Sequence, residues 1–176
     1  MNVLVTAASR HGATAEIAER IAATLRVRGH TVVVRAPEAV TSLDGFDVVI
    51  LGSAVYTGGW LKAARAFAAR FLDDLNRRSV WLFSSGPVGD PLFPQEQPKD
   101  VPELLARTGA RGHQVFAGRL DPSVLGVVER LAVRAVRVPP GDFRDWTAVG
   151  AWAALVADAL AAAPGAARPA RFGSTP

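Results

Sequence analysis

The chain is 176 residues long, 49% apolar and 20% charged, with a formal charge of +4 and no cysteine. That length suits one domain, and the missing thiols exclude disulfides, thiolate-bound metals, iron–sulfur clusters and a cysteine nucleophile. Three histidines (His11, His30 and His113) are too scattered for a His-rich metal centre, and no apolar run reaches the ~20 residues of a transmembrane helix.

Asn2–Ala7 is a short apolar, β-branched run that predicts a buried strand. From Gly12 to Gly29 the pattern turns helical: Ile17, Ile21 and Leu25 recur every four residues, and Gly29 stops the run. Thr31–Arg35 predicts a second strand and Asp47–Leu51 a third, which Gly52 ends. Leu61–Leu75 predicts an Ala-rich helix with Phe67, Phe71 and Leu75 on one face. Ser79–Phe83 is a fourth strand, followed by a loop from Ser84 to Gln97. Asp100–Ala110 predicts a helix and His113–Ala117 a fifth strand. A helix over Ser123–Val138 precedes the closing helix Trp146–Ala162, in which Trp152, Leu155, Val156 and Leu160 are apolar. Residues 164–176 lack periodicity and predict a disordered tail, so the domain spans residues 1–163.

Strands that are apolar throughout belong to parallel sheets covered by helices on both faces. Right-handed crossovers then lead to an α/β, three-layer αβα sandwich with a five-stranded parallel sheet in the order 2-1-3-4-5. Such sheets bind ligands beyond the carboxyl ends of the strands, where the strand order reverses. The loops after strands one, three and four therefore carry the candidate site.

The first of these is Ser9-Arg10-His11-Gly12-Ala13-Thr14, which leads directly into a helix. Helix N-termini hold anions through unpaired N–H groups and a partial positive charge, and Ser9 and Thr14 add hydroxyl donors. The loop lacks both G-x-G-x-x-G and G-x-x-x-x-G-K-[ST], so a single terminal phosphate fits it better than a pyrophosphate or a nucleoside triphosphate. Ser9 as a plain helix cap is the alternative. The other two loops, Gly52–Trp60 and Ser84–Pro91, are long for βα connections and rich in small residues. Their candidates are Ala54, Val55, Tyr56, Thr57, Gly58 and Trp60 on one side and Ser84, Ser85, Gly86, Pro87, Val88 and Gly89 on the other. Ordinary packing at a helix start is the alternative for Tyr56 and Trp60.

A strand followed by S-x-x-G-x-T and a helix resembles the phosphate loop of flavodoxins, where it holds the ribityl phosphate of FMN. On that resemblance the fold is flavodoxin-like, Ser9 to Thr14 bind the phosphate, and the other two loops wall the isoalloxazine ring. His11 stands where flavodoxins usually carry Thr, with an imidazole as the substitute donor. The segments Gly52–Lys62, Phe83–Gly89 and Gly141–Trp146 together resemble a bacterial flavodoxin-domain family related to menaquinone-dependent protoporphyrinogen oxidase. That resemblance covers residues 2–162. Gly59 departs from it, since a larger residue, often His, is expected there, and its absence implies a more open pocket.

Plain flavodoxins connect the fifth strand and last helix briefly, whereas here residues 118–142 intervene. Within them Arg130, Arg134 and Arg137 share one helical face, which reads as core cover or a homodimer contact, or as a membrane- or substrate-facing surface. In the protoporphyrinogen-oxidase relatives an insertion in this region distinguishes the enzymes from electron carriers. Asp142–Trp146 reads as a capped helix start with a salt bridge.

The resemblance implies an FMN-dependent oxidoreductase that takes electrons from an organic substrate, such as a porphyrinogen, and passes them to a quinone or another acceptor. The alternative is a flavodoxin-type electron-transfer protein with no substrate chemistry of its own. Shuttles of that kind are usually strongly acidic, and this chain is net basic. No residue stands out as a catalytic base, and no metal is expected. The arginines are dispersed and no reader motif occurs, which argues against nucleic acid. With no signal peptide at the N-terminus, a cytoplasmic location is expected, with the inner membrane face as an open peripheral contact.

Overall fold

The apolar strands of the sequence form a parallel sheet in the computed structural model, which describes residues 1–86, 88, 96–123 and 139–162. β1 (Asn2–Ala8) lies between β2 (Thr31–Arg35) and β3 (Val48–Tyr56). A two-residue strand, β4 (Gly59–Trp60), turns back antiparallel on β3. β5 (Ser79–Ser85) and β6 (His113–Phe116) complete the parallel order β2-β1-β3-β5-β6. This is the expected 2-1-3-4-5 order with one short antiparallel strand added.

Helices cover both faces. α1 (Ala13–Val27) packs on one face with α5 (Trp146–Ala162); α2 (Lys62–Arg70), α3 (Leu72–Asn76) and α4 (Val101–Thr108) lie on the other. Alternate residues of β1 serve opposite cores: Val3 and Val5 meet Ile17, Ile21 and Leu25, while Leu4 meets Val49, Phe67 and Leu82. Phe67 is nearly fully buried and the other side chains in these two groups completely so. Each such burial stabilises the fold by about 1.5–3 kcal/mol, which is why neither strand face can be polar.

Three expectations are corrected. β3 does not stop at Gly52 but runs through it to Tyr56. A Cβ at residue 52 would fall inside the Phe83 ring, so glycine serves a close approach within the sheet there and is not a strand end. The helix over Leu61–Leu75 is two helices, broken at Phe71 (φ −108°, ψ 23°). At the break Arg70 donates to the carbonyls of Pro37 and Val40, and Phe71 stays buried against Phe67. Ser84 and Ser85 belong to β5, hydrogen-bonded beside β3 and β6, and not to the following loop. Leu155 is 67% exposed although its helix neighbours Val156 and Leu160 are buried.

Residues 118–142 begin and end in a two-stranded antiparallel ribbon, β7 (Arg119–Leu120) and β8 (Gly141–Asp142). The expected helix over Ser123–Val138 with its Arg130, Arg134 and Arg137 face, the tail after residue 163, and Pro87 and Gly89 lie outside the described residues.

Candidate functional site

The site sits at the carboxyl ends of β1, β3 and β5. β1 ends at Ala8, and α1 begins at Ala13 after a left-handed Gly12 (φ 85°), a conformation that glycine adopts without strain. Gly12 occupies the N-cap position and has no side chain to cap the helix. Ser9 does not cap it either: its Oγ is buried and finds no partner among the described residues. Thr14 is buried in the first turn, and only the Glu16 carboxylate comes within 4 Å of the space above Gly12. The loop thus sets a desolvated hydroxyl beside the first-turn N–H groups, which have no intrahelical acceptors, at the positive end of a 15-residue helix. An uncompensated buried hydroxyl costs about 1–3 kcal/mol, and an anion accepting its hydrogen bond removes that cost.

The loop after β3 is a tight hairpin and not the irregular loop expected. Thr57 (φ 48°) and Gly58 (φ 74°) form its two-residue turn, with both backbones left-handed. A β-branched Thr in that conformation is strained. Tyr56 reaches the first loop: Arg10 stacks 5.3 Å from its ring centroid, and the His11 ring lies 6.4 Å away. The structure therefore brings Arg10, His11 and Tyr56 together. Ala54 is buried, and Val55 packs against Gly86, where a Cβ would approach to 2.9 Å. Val88 is half-buried beside Gly118. Between hairpin and opposite wall lies a slot of about 90 Å³ lined by Val55, Thr57, Gly58, Gly86, Glu96 and Val115. A second cavity of about 360 Å³ opens beside Ser9 at the ends of β1 and β2.

Trp60 does not face the slot. It is buried in the core, its indole N–H donates to Ser84 Oγ (2.7 Å), and its amide donates to Asp100 Oδ2 (2.6 Å). Gly59 does not open a pocket, because a side chain there would meet Asp100 Oδ2 and Lys99 Cε within 3 Å. Sequence reasoning missed His113, whose Nε2 lies 2.8 Å from Ser84 Oγ. Burial pushes its imidazole down to about 4. Its one sequence signal was a titratable residue inside an apolar strand.

Also missed was the reach of Arg144. The salt bridge expected within Asp142–Trp146 is present: Arg144 donates to both Asp142 oxygens (2.8 and 2.6 Å). It also donates to Glu16 Oε2 (2.7 Å) and the Ala13 carbonyl (3.2 Å), and it stacks on Trp146. Arg119 donates to the other Glu16 oxygen (3.3 Å). The Arg144 guanidinium holds the Asp142 carboxyl below the usual carboxylate range. The ribbon is thereby clamped to the first turn of α1, and the Glu16 charge is neutralised beside Gly12.

Fold and site together define a doubly wound α/β domain whose first helix starts without a side-chain cap at the carboxyl ends of the strands. The chain belongs to the flavodoxin domain family, which matches residues 4–146 and whose cofactor is FMN. No curated protein is a significant match in sequence. The fold is similar to the rubredoxin:oxygen oxidoreductase of Desulfovibrio gigas (17% identity, TM-score 0.63), covering 92% of this chain and 36% of that one. It is also similar to a single-site mutant of the flavodoxin from Pseudomonas aeruginosa (14%, TM-score 0.60) and the flavodoxin of Streptococcus pneumonia TIGR4 (20%, TM-score 0.58), each covering 92% of this chain and 99% of the other. The chain thus spans about a third of the oxidoreductase and nearly all of the two flavodoxins. At these identities the likeness is one of fold.

Proposed function

We propose that the chain holds one FMN non-covalently and uses it to move electrons from an organic reductant to an acceptor. The observation that carries the reading is the uncapped start of α1 with the buried, unpartnered Ser9 hydroxyl beside it. Ser9, Thr14 and the N–H groups of Arg10 to Thr14 hold the phosphate. Val55, Thr57 and Gly58 on the hairpin and Gly86 and Val88 opposite flank the ring, with Tyr56 over Arg10 and His11 at the entrance. FMN supplies the two-electron chemistry, and the residues orient it and limit water around it. Trp60, Ser84 and Ser85 act from beneath as packing.

Oxidoreductase is preferred to shuttle because the +4 chain carries an inserted segment rooted by Arg144 and Arg119 beside the phosphate loop. The resemblance of Gly52–Lys62, Phe83–Gly89 and Gly141–Trp146 makes a porphyrinogen and a menaquinone analogue the first substrates to test. Stopped-flow mixing decides: an enzyme shows saturable reduction by the organic substrate and reoxidation by quinone. Rapid exchange with a flavodoxin reductase and no saturable turnover identifies a shuttle instead.

A further inference from the structure

Resting on the FMN reading, we propose that Trp60, Ser84 and His113 form a buried strut that sets the separation of the two slot walls, with neutral His113 as its positioning residue. The strut starts under the hairpin. Trp60 closes the turn that carries Thr57 and Gly58, and its indole donates to Ser84 Oγ at 2.7 Å. Ser84 is fully buried in β5. From its Oγ the path crosses 2.8 Å to His113 Nε2 on β6, two residues before Val115 of the slot. Gln97 Nε2 lies 3.5 Å from Nδ1, between Glu96 and Pro98 of the opposite wall, and the amide turned end for end presents Oε1 to an Nδ1 proton. One chain of side chains therefore runs from one wall to the other.

Its polarity follows from donor counts. An indole only donates, so Ser84 Oγ accepts from Trp60; among the described residues His113 Nε2 is its other partner, so the single hydroxyl proton of this buried serine goes there. That requires Nε2 to be an acceptor, hence a neutral imidazole protonated at Nδ1. Adding a proton to Nε2 sets two donors against each other at the centre of the strut. Of the charged groups on the elements packed on this face, Asp100 bonds the Trp60 amide and pairs with Arg65, Glu103 pairs with Arg107 and Asp74 with Arg77 and Arg78, while Lys62 and Asp73 lie on the same helices. Glu96 and Lys99 lie on the wall segment, and Arg111 on the turn into β6. Desolvation alone accounts for the lowered imidazole, so no anion supports a charged His113.

The test uses the full chain, FMN as probe, and three proteins: wild type, Ser84→Ala and His113→Gln. Gln places an acceptor where Nε2 stands but cannot be protonated. Ser84→Ala is expected to weaken FMN at least tenfold at pH 7. His113→Gln is expected to keep wild-type affinity within about threefold at pH 7. Between pH 7 and about pH 4, wild-type affinity should fall about twofold further than that of His113→Gln, because only the wild type gains a proton there. Parallel pH profiles, or full affinity in Ser84→Ala, overturn the strut. In the FMN-free protein, ¹⁵N NMR should show His113 protonated at Nδ1 at pH 7, and an Nε2–H tautomer overturns the strut whatever FMN does. Failure of the wild type to bind FMN at pH 7 overturns the function reading, and the NMR result still decides the strut.

Discussion

Two long helices, α1 and α5, pack against each other yet begin in opposite ways. α5 is capped: Asp145 Oδ1 accepts from the amides of Thr147 and Ala148, both at 2.9 Å. α1 starts from glycine, with a buried hydroxyl nearby that nothing among the described residues satisfies. The same chemical problem, N–H groups without intrahelical acceptors, is met by a side chain in one helix and by no side-chain cap in the other. Arg144 links the two starts, since it lies just before α5 and bonds to Ala13 and Glu16 of α1.

The largest expected effect comes from breaking that link. Arg144→Met leaves Asp142 without its partner and Glu16 with Arg119 alone, and should lower stability by about 3 kcal/mol, the low end for a buried pair because both carboxylates are half-exposed. Urea unfolding checks it. Asp142 is held low in the folded state, so its stabilisation is complete above the ordinary carboxylate range and is lost as pH falls below it. The acid side of a stability–pH curve should therefore be flatter in Arg144→Met than in the wild type.

Next is the uncapped helix itself. Ser9→Ala and Thr14→Ala should each weaken FMN by about 1.5–3 kcal/mol while leaving riboflavin nearly unchanged. Ser9→Ala should not lower the melting temperature of the FMN-free protein, because it removes an unsatisfied group. Equal weakening of both flavins in titrations would place the phosphate elsewhere.

Asp145→Ala is the mirror experiment and should cost about 1 kcal/mol of stability with FMN affinity unchanged. Smallest is Thr57→Gly, which relieves a left-handed β-branched residue and should stabilise by at most about 1 kcal/mol in thermal melts.

The elements legible in the sequence were those governed by local periodicity. Ile17, Ile21 and Leu25 announced α1, and continuous apolar runs announced a sheet buried on both faces, from which the strand order followed. The loop Ser9–Thr14 stood out as a candidate because its hydroxyls and glycine lie within six consecutive residues. What stayed hidden depends on partners far along the chain. Gly52 looked like a stop until Phe83, 31 positions away, was seen to lie over it. Trp60 looked like a ring wall because nothing nearby in sequence shows that Ser84 accepts its indole hydrogen bond. The hairpin was obscured because Thr57 is a poor residue for its turn.

The ribbon at residues 119–120 and 141–142 holds the two ends of the inserted segment side by side, independently of what lies between them. Such a root behaves as a graft point. Replacing the intervening stretch by a two-residue Asn-Gly turn keeps the antiparallel register and every contact of Arg119, Asp142 and Arg144. The same junction accepts a longer excursion, because loop closure costs only about 0.6 kcal/mol per doubling of length once the ends are fixed. Chains sharing this scaffold can therefore exchange the intervening stretch without rebuilding the rest of the domain.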